Sequence, residues 1–163
     1  REAAVNAMEL FHGSNSLFDA FDLGKSRDKR DFGRGFYTTT IREQAEQWAE
    51  TLQARFGGGK FLYRLEWQRE PDLQIRTFNG VSREWLEMVR ENRLGGGIQH
   101  DYDVVIGPVA NDDTMPTIAL YVDGTLSAEA AIIQPSYVKA NDQVSFHTDR
   151  ALAGLKILER ITL

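Results

Sequence analysis

The chain has 163 residues, 42% of them hydrophobic and 26% charged, which is enough for one domain around a buried core. It has no cysteine, so a disulfide framework and a thiolate metal site are excluded, and a reducing, cytoplasmic setting is expected. A formal net charge of −5 disfavours non-specific binding to polyanions, and no apolar run approaches the ~20 residues of a membrane span. Residues 1–7 read as an N-terminal lead and residues 8–163 as the domain.

Met8 to His12 reads as a strand that stops at the turn cluster Gly13-Ser14-Asn15-Ser16. From there to Arg30 periodicity is weak, which predicts a long ordered loop of the kind that often carries function. Thr40 and Glu43 have the spacing of a capping box. The helix after them places Ala45, Trp48, Ala49 and Leu52 on one face before Gly57-Gly58-Gly59 ends it. Lys60 to Trp67 alternates as a half-buried strand does, and Leu73 to Phe78 suits a short one. Ser82 is placed to cap a helix to about Asn92 that buries Trp85, Leu86 and Val89. Val104-Val105-Ile106 reads as a central strand. Helices are predicted at Met115 to Val122 and Ser127 to Gln134, then a strand at Gln143 to His147. Thr148 caps a further helix through Leu152 to Leu155, and Ile157 to Leu163 closes the chain as a strand. Helices and strands do not alternate regularly, which favours an α+β fold with a mostly antiparallel split sheet over a doubly wound one.

Polar groups gather at the ends of three strand-like runs: His12-Gly13-Ser14, Gly33-Arg34-Gly35-Phe36-Tyr37-Thr38, and Asp142-Gln143. Glycines beside the first two let the backbone approach a small ligand. Read singly, His12 also suits a residue that caps its strand, and Tyr37 suits a core aromatic. Lys25, Arg27, Lys29, Arg30 and Arg34 share a loop with Asp28 and Asp31, which makes either a solvated mixed-charge loop or a phosphate-facing patch. The run from Val104 through Gly107-Pro108 to Asn111, Asp112 and Asp113 is either a turn with a helix cap or a polar sheet edge. His12, His100 and His147 lack metal-site spacing, so no metal is expected. Ser14 and Ser145 have no nucleophile-elbow context, and no phosphate-loop or GxGxxG pattern occurs.

Five blocks together resemble one family: His12 to Ser14, Asp31 to Tyr37, Gln44 to Ala49, Tyr102 to Ala110 and Asp142 to Leu152. It is a bacterial domain family of unknown function similar to ADP-ribosyltransferases of the His-Tyr-Glu type, the group of diphtheria toxin and the poly(ADP-ribose) polymerases. The resemblance implies NAD as co-substrate and transfer of ADP-ribose to a macromolecular acceptor, protein or nucleic acid. It implies a toxin or effector role, with a small antitoxin protein as partner and no membrane. His12 would anchor the nicotinamide ribose, Gly13 the carboxamide through its backbone, and Tyr37 the nicotinamide ring. Gln143 stands where the group usually has glutamate; it can orient ribose and acceptor but cannot take a proton. Asp142, Asp112, Asp113 and Glu129 are alternative acids. Ser14, Gly35, Thr38, Asn111 and Asp112 are further contact candidates, and Arg34 suits the pyrophosphate. The alternatives are an NAD glycohydrolase, with water as acceptor, and an inactive protein that binds a nucleotide or a partner.

Overall fold

The computed structural model describes residues 7–110, 115–133 and 141–163, and its strands fall into two sheets. In the first, β3 (Phe61–Gln68) lies between β1 (Ala7–Ser14) and β7 (Leu155–Thr162), with both pairings antiparallel. The second runs in the order β2 (Phe36–Thr38), β6 (Gln143–Phe146), β5 (Val104–Gly107), β4 (Ile75–Thr77). Its first two pairings are antiparallel. β4 lies parallel to β5, because the chain between them crosses over through a helix. This is the α+β fold, with a mostly antiparallel sheet core, that the sequence predicts.

Five helices are described: α1 (Arg42–Phe56), α2 (Arg83–Gly95), α3 (Met115–Val122), α4 (Ala128–Ile133) and the short α5 (Asp149–Leu152). The two sheets bury a common layer in which Leu10, Tyr63, Leu65 and Trp67 meet Val104, Val144 and Phe146. Trp67 meets Phe146 edge to face, with ring centres 5.2 Å apart. An aromatic side chain buried this fully contributes on the order of 4–6 kcal/mol at roughly 25 cal/mol per Å². A second layer sets Trp85, Leu86 and Val89 of α2, with Ile118, Tyr121, Ala128 and Ala131, around Val105, Phe32 and Phe78. On the far side, α1 rests on the first sheet through Ala45, against Phe11 and Leu62.

Ser82 and Thr148 cap their helices as predicted, accepting from Trp85 N–H at 3.2 Å and Ala151 N–H at 3.1 Å. The helix after Thr148 ends at Leu152, earlier than predicted, and β7 begins at Leu155. The Thr40–Glu43 capping box does not form. Ile41 is the N-cap of α1, and the Thr40 N–H and hydroxyl both donate to Asp142 from the end of β6. Of the N-terminal lead, Ala7 opens β1 and residues 1–6 lie outside the described residues.

Among the described residues, one isolated backbone bridge joins the sheets. Phe11 N–H donates to the Thr39 carbonyl at 2.7 Å, and Thr39 N–H donates back at 2.9 Å. Beyond it β1 and β2 part, and the site opens in the gap. Among the described residues, no helix is long and apolar enough to cross a membrane.

Candidate functional site

Phe11 points both its backbone groups at β2, and backbone direction alternates along a strand. Gly13 therefore points its N–H and C=O the same way, into the gap rather than toward β3. His12 fills the place of the missing ladder bond, with Nδ1 2.7 Å from the Tyr37 carbonyl. A carbonyl only accepts, so Nδ1 carries the proton and Nε2 is left as an acceptor with no partner among the described residues. Burial lowers the imidazole pKa to about 4; the Tyr37 carbonyl opposes that shift and the Arg30 charge adds to it. The ring is therefore neutral at pH 7. Stacking on Phe36, at 4.2 Å and 25°, fixes its plane.

Tyr37 is buried, with its hydroxyl donating to the Gly33 carbonyl at 2.6 Å and accepting from Phe32 N–H at 3.0 Å. Burial pushes the phenol pKa up, so it stays protonated. Its ring face is covered: the Arg30 guanidinium carbon lies 4.0 Å from the ring centre. The same guanidinium lies over Trp48 at 5.9 Å. Tyr37 and Trp48 thus make an aromatic seat that holds a planar cation. Trp48 shares the predicted helix face with Ala45, Ala49 and Leu52, but it is half-buried and lines the cleft.

Gln143 donates from Nε2 to Asp31 Oδ2 at 3.1 Å and to the Pro108 carbonyl at 3.1 Å. Both partners are acceptors, which fixes the amide's orientation and leaves Oε1 without a partner among the described residues. Asp31 is buried and also accepts from Ala110 N–H at 3.1 Å and from Arg93, whose Nε is 3.0 Å away. In the sequence Asp31 stands out only as part of a motif and a loop; its support of Gln143 comes from 112 residues away. Two of the alternative acids are committed elsewhere. Asp142 accepts from the hydroxyls of Thr39 and Thr40, and Glu129 pairs with Arg83 on the helical side. Asp112 and Asp113, like Asn111, lie outside the described residues.

His12, Gly13, Ser14, Gly35, Tyr37, Thr38 and Gln143 line one cleft of about 1010 Å³. That is at the upper end of small-molecule sites, about 300–1,000 Å³. Arg34 is not part of it: its guanidinium donates to the Ser26 carbonyl at 2.8 Å and braces the loop. The cations on the cleft wall are Lys25, Arg27, Arg30, Arg55 and Arg93. Thr38 uses its hydroxyl to bond the Val144 carbonyl at 2.8 Å. Two of the expected ligand-facing glycines have packing reasons as well. A Cβ on Gly13 would come 2.0 Å from the Ala45 carbonyl oxygen, and one on Gly35 would come 2.7 Å from both the Phe146 carbonyl and His147.

The Ser145–His147 pair, 2.7 Å apart, is buried behind β6 and does not line the cleft. His147 is held neutral there, its pKa lowered to about 4 by burial, against the Arg34 carbonyl and with His100 adding to the shift. No cluster suited to a metal ion occurs among the described residues.

No curated protein and no solved structure matches the chain. Residues 8–157 match the model of a family described as a protein of unknown function, DUF3990. The match covers nearly the whole chain, and the protein belongs to that DUF3990 family.

Proposed function

We propose that the cleft binds NAD and transfers its ADP-ribose to a macromolecular acceptor, protein or nucleic acid, with the protein acting in the cytoplasm as a toxin or effector. The observation that carries this is the seat formed by Tyr37 and Trp48, which already holds a flat cation. The nicotinamide ring of NAD is itself a flat cation. Around that seat stand the open backbone edge of Gly13, suited to a carboxamide, and the Nε2 acceptor of His12, suited to a ribose hydroxyl. The free Oε1 of Gln143 suits the second hydroxyl and the positive charge that develops on the sugar.

In the reaction the bond between the ribose C1′ and the nicotinamide nitrogen breaks, and its electron pair leaves with neutral nicotinamide. The acceptor's lone pair then forms the new bond to C1′, and any proton on the acceptor goes to solvent. The protein's share is orientation and charge stabilisation. His12, with its pKa lowered to about 4, is a weak base, and both oxygens of Asp31 are bonded, so neither readily takes a proton from the acceptor. An acceptor atom that attacks without losing a proton first, such as a carboxylate oxygen or a ring nitrogen, fits this chemistry best.

Labelled NAD incubated with the protein and whole lysate tests the proposal, with protease and nuclease digestion to locate the label. Label in a macromolecular fraction, lost in Tyr37→Ala, is the expected result. Nicotinamide release without incorporation would mark a glycohydrolase. Binding without turnover would mark an inactive nucleotide-binding protein.

A further inference from the structure

Arg30 is a charge in the cleft wall that, among the described residues, makes no ion pair, although the Asp31 charge lies near enough to favour its charged form. Its neighbours are engaged, Arg93 by Asp31 and Arg34 by the Ser26 carbonyl. Among the described residues no ion pair or hydrogen bond holds the Arg30 guanidinium, although burial pulls its pKa below the usual value. What it does touch is the ring face of Tyr37, and beyond that Trp48. The backbone is arranged to put it there. Lys29, directly before it, has φ +58 and is the one non-glycine residue with positive φ among the described residues. The Asp28 carboxylate locks that turn by accepting from Lys29 N–H at 2.8 Å and Gly97 N–H at 2.6 Å.

We propose that Arg30 is a plug that becomes a clamp: in the free protein it occupies the nicotinamide seat over Tyr37, and the arriving dinucleotide draws it onto the pyrophosphate. This rests on the reading of the cleft as an NAD site. A guanidinium and a pyridinium ring are both flat cations, so they cannot share one ring face. The displaced guanidinium then needs an anion, and the two phosphates are the part of NAD that supplies one. Nicotinamide alone, though neutral, needs the same ring face, so it must evict the plug and offers it nothing in return. ADP-ribose offers phosphates and leaves the seat empty. The two halves of NAD therefore respond to Arg30 in opposite directions.

Calorimetric titration of nicotinamide and of ADP-ribose into the wild type, Arg30→Ala and Arg30→Lys tests this. In Arg30→Ala, nicotinamide binding is expected to tighten about tenfold and ADP-ribose binding to weaken about tenfold or more, the sizes of one cation–ring contact and one cation–phosphate contact. Arg30→Lys keeps the charge and is expected to recover part of the ADP-ribose affinity. Shifts in the same direction for both ligands, or no shift in a variant with an unchanged circular dichroism spectrum, would overturn the plug. A wild type that binds neither ligand would overturn the NAD reading beneath it.

Discussion

At Gln143 the side-chain amide gives its protons to Asp31 and to the Pro108 carbonyl, and a glutamate would have none to give. Its carboxylate would face another carboxylate and a carbonyl oxygen, in a buried place. Gln143→Glu is therefore expected to cost about 1–3 kcal/mol of stability, the range for a buried polar group left unpaired. It is also expected not to raise ADP-ribose transfer above the wild type. Denaturant melts and the labelled-NAD assay check both. A variant that is more stable and more active would show that the position is a degraded glutamate after all. Asp31 has the converse role: it holds the amide in one orientation and is itself held by Arg93 and by Ala110 N–H.

Among the elements, β1 and α1 set the shape of the gap. Gly13 lets α1 close on the first sheet, since a Cβ there would lie 2.0 Å from the Ala45 carbonyl oxygen and 2.9 Å from Ala49 N. Gly13→Ala is expected to lose about 1–3 kcal/mol by overpacking, measured as a lower urea midpoint; an unchanged midpoint would mean that α1 shifts without cost. The sequence exposed the elements whose signal is local. The alternation in β3, the apolar run of β5 and the Ser82 cap of α2 all appear where periodicity and capping chemistry put them. It failed where a distant partner competes. Thr40 has capping-box spacing, but Asp142, 102 residues away, takes its donors. Trp48 shares the helical spacing of Ala45, Ala49 and Leu52, and spacing does not show where the buried stripe ends and the cleft begins. Arg30 and Arg34 sit four residues apart in one loop, and the turn that Gly33 N–H closes on the Arg30 carbonyl lies between the cation that enters the cleft and the one that braces the loop. His12, Tyr37 and Gln143 are named from the sequence through the family resemblance, since each taken alone also suits a structural role, and all three line the cleft.

For the molecule as a whole, two neutral histidines, the buried His147 and the half-buried His12, set the response to acid. His12 and His147 have pKa values lowered from 6.5 to about 4 in the folded chain. Between those values the unfolded chain binds more protons, so this stabilisation is complete above pH 6.5 and drains away as pH falls toward 4. At 1.36 kcal/mol per unit the full loss is on the order of 3 kcal/mol for the buried His147, and less for His12, which stays half-buried at the cleft. Asp103 acts lower on the scale. Burial raises its pKa, but Arg150, the Gln74 N–H and Thr148 outweigh that and bring it from 3.8 to about 2, so its contribution is lost only below pH 3.8. The urea midpoint is expected to fall already between pH 7 and pH 5; a flat midpoint over that range would contradict the lowered pKa values of these two rings. The seat formed by Tyr37 and Trp48 is the feature on which the functional account turns, and tryptophan fluorescence reads it directly. Trp67 and Trp85 are fully buried, whereas Trp48 lines the cleft. Titration with NAD is predicted to quench the emission saturably, and Trp48→Phe to abolish the quench. Emission that NAD leaves unchanged, or a quench that survives in Trp48→Phe, would contradict the account.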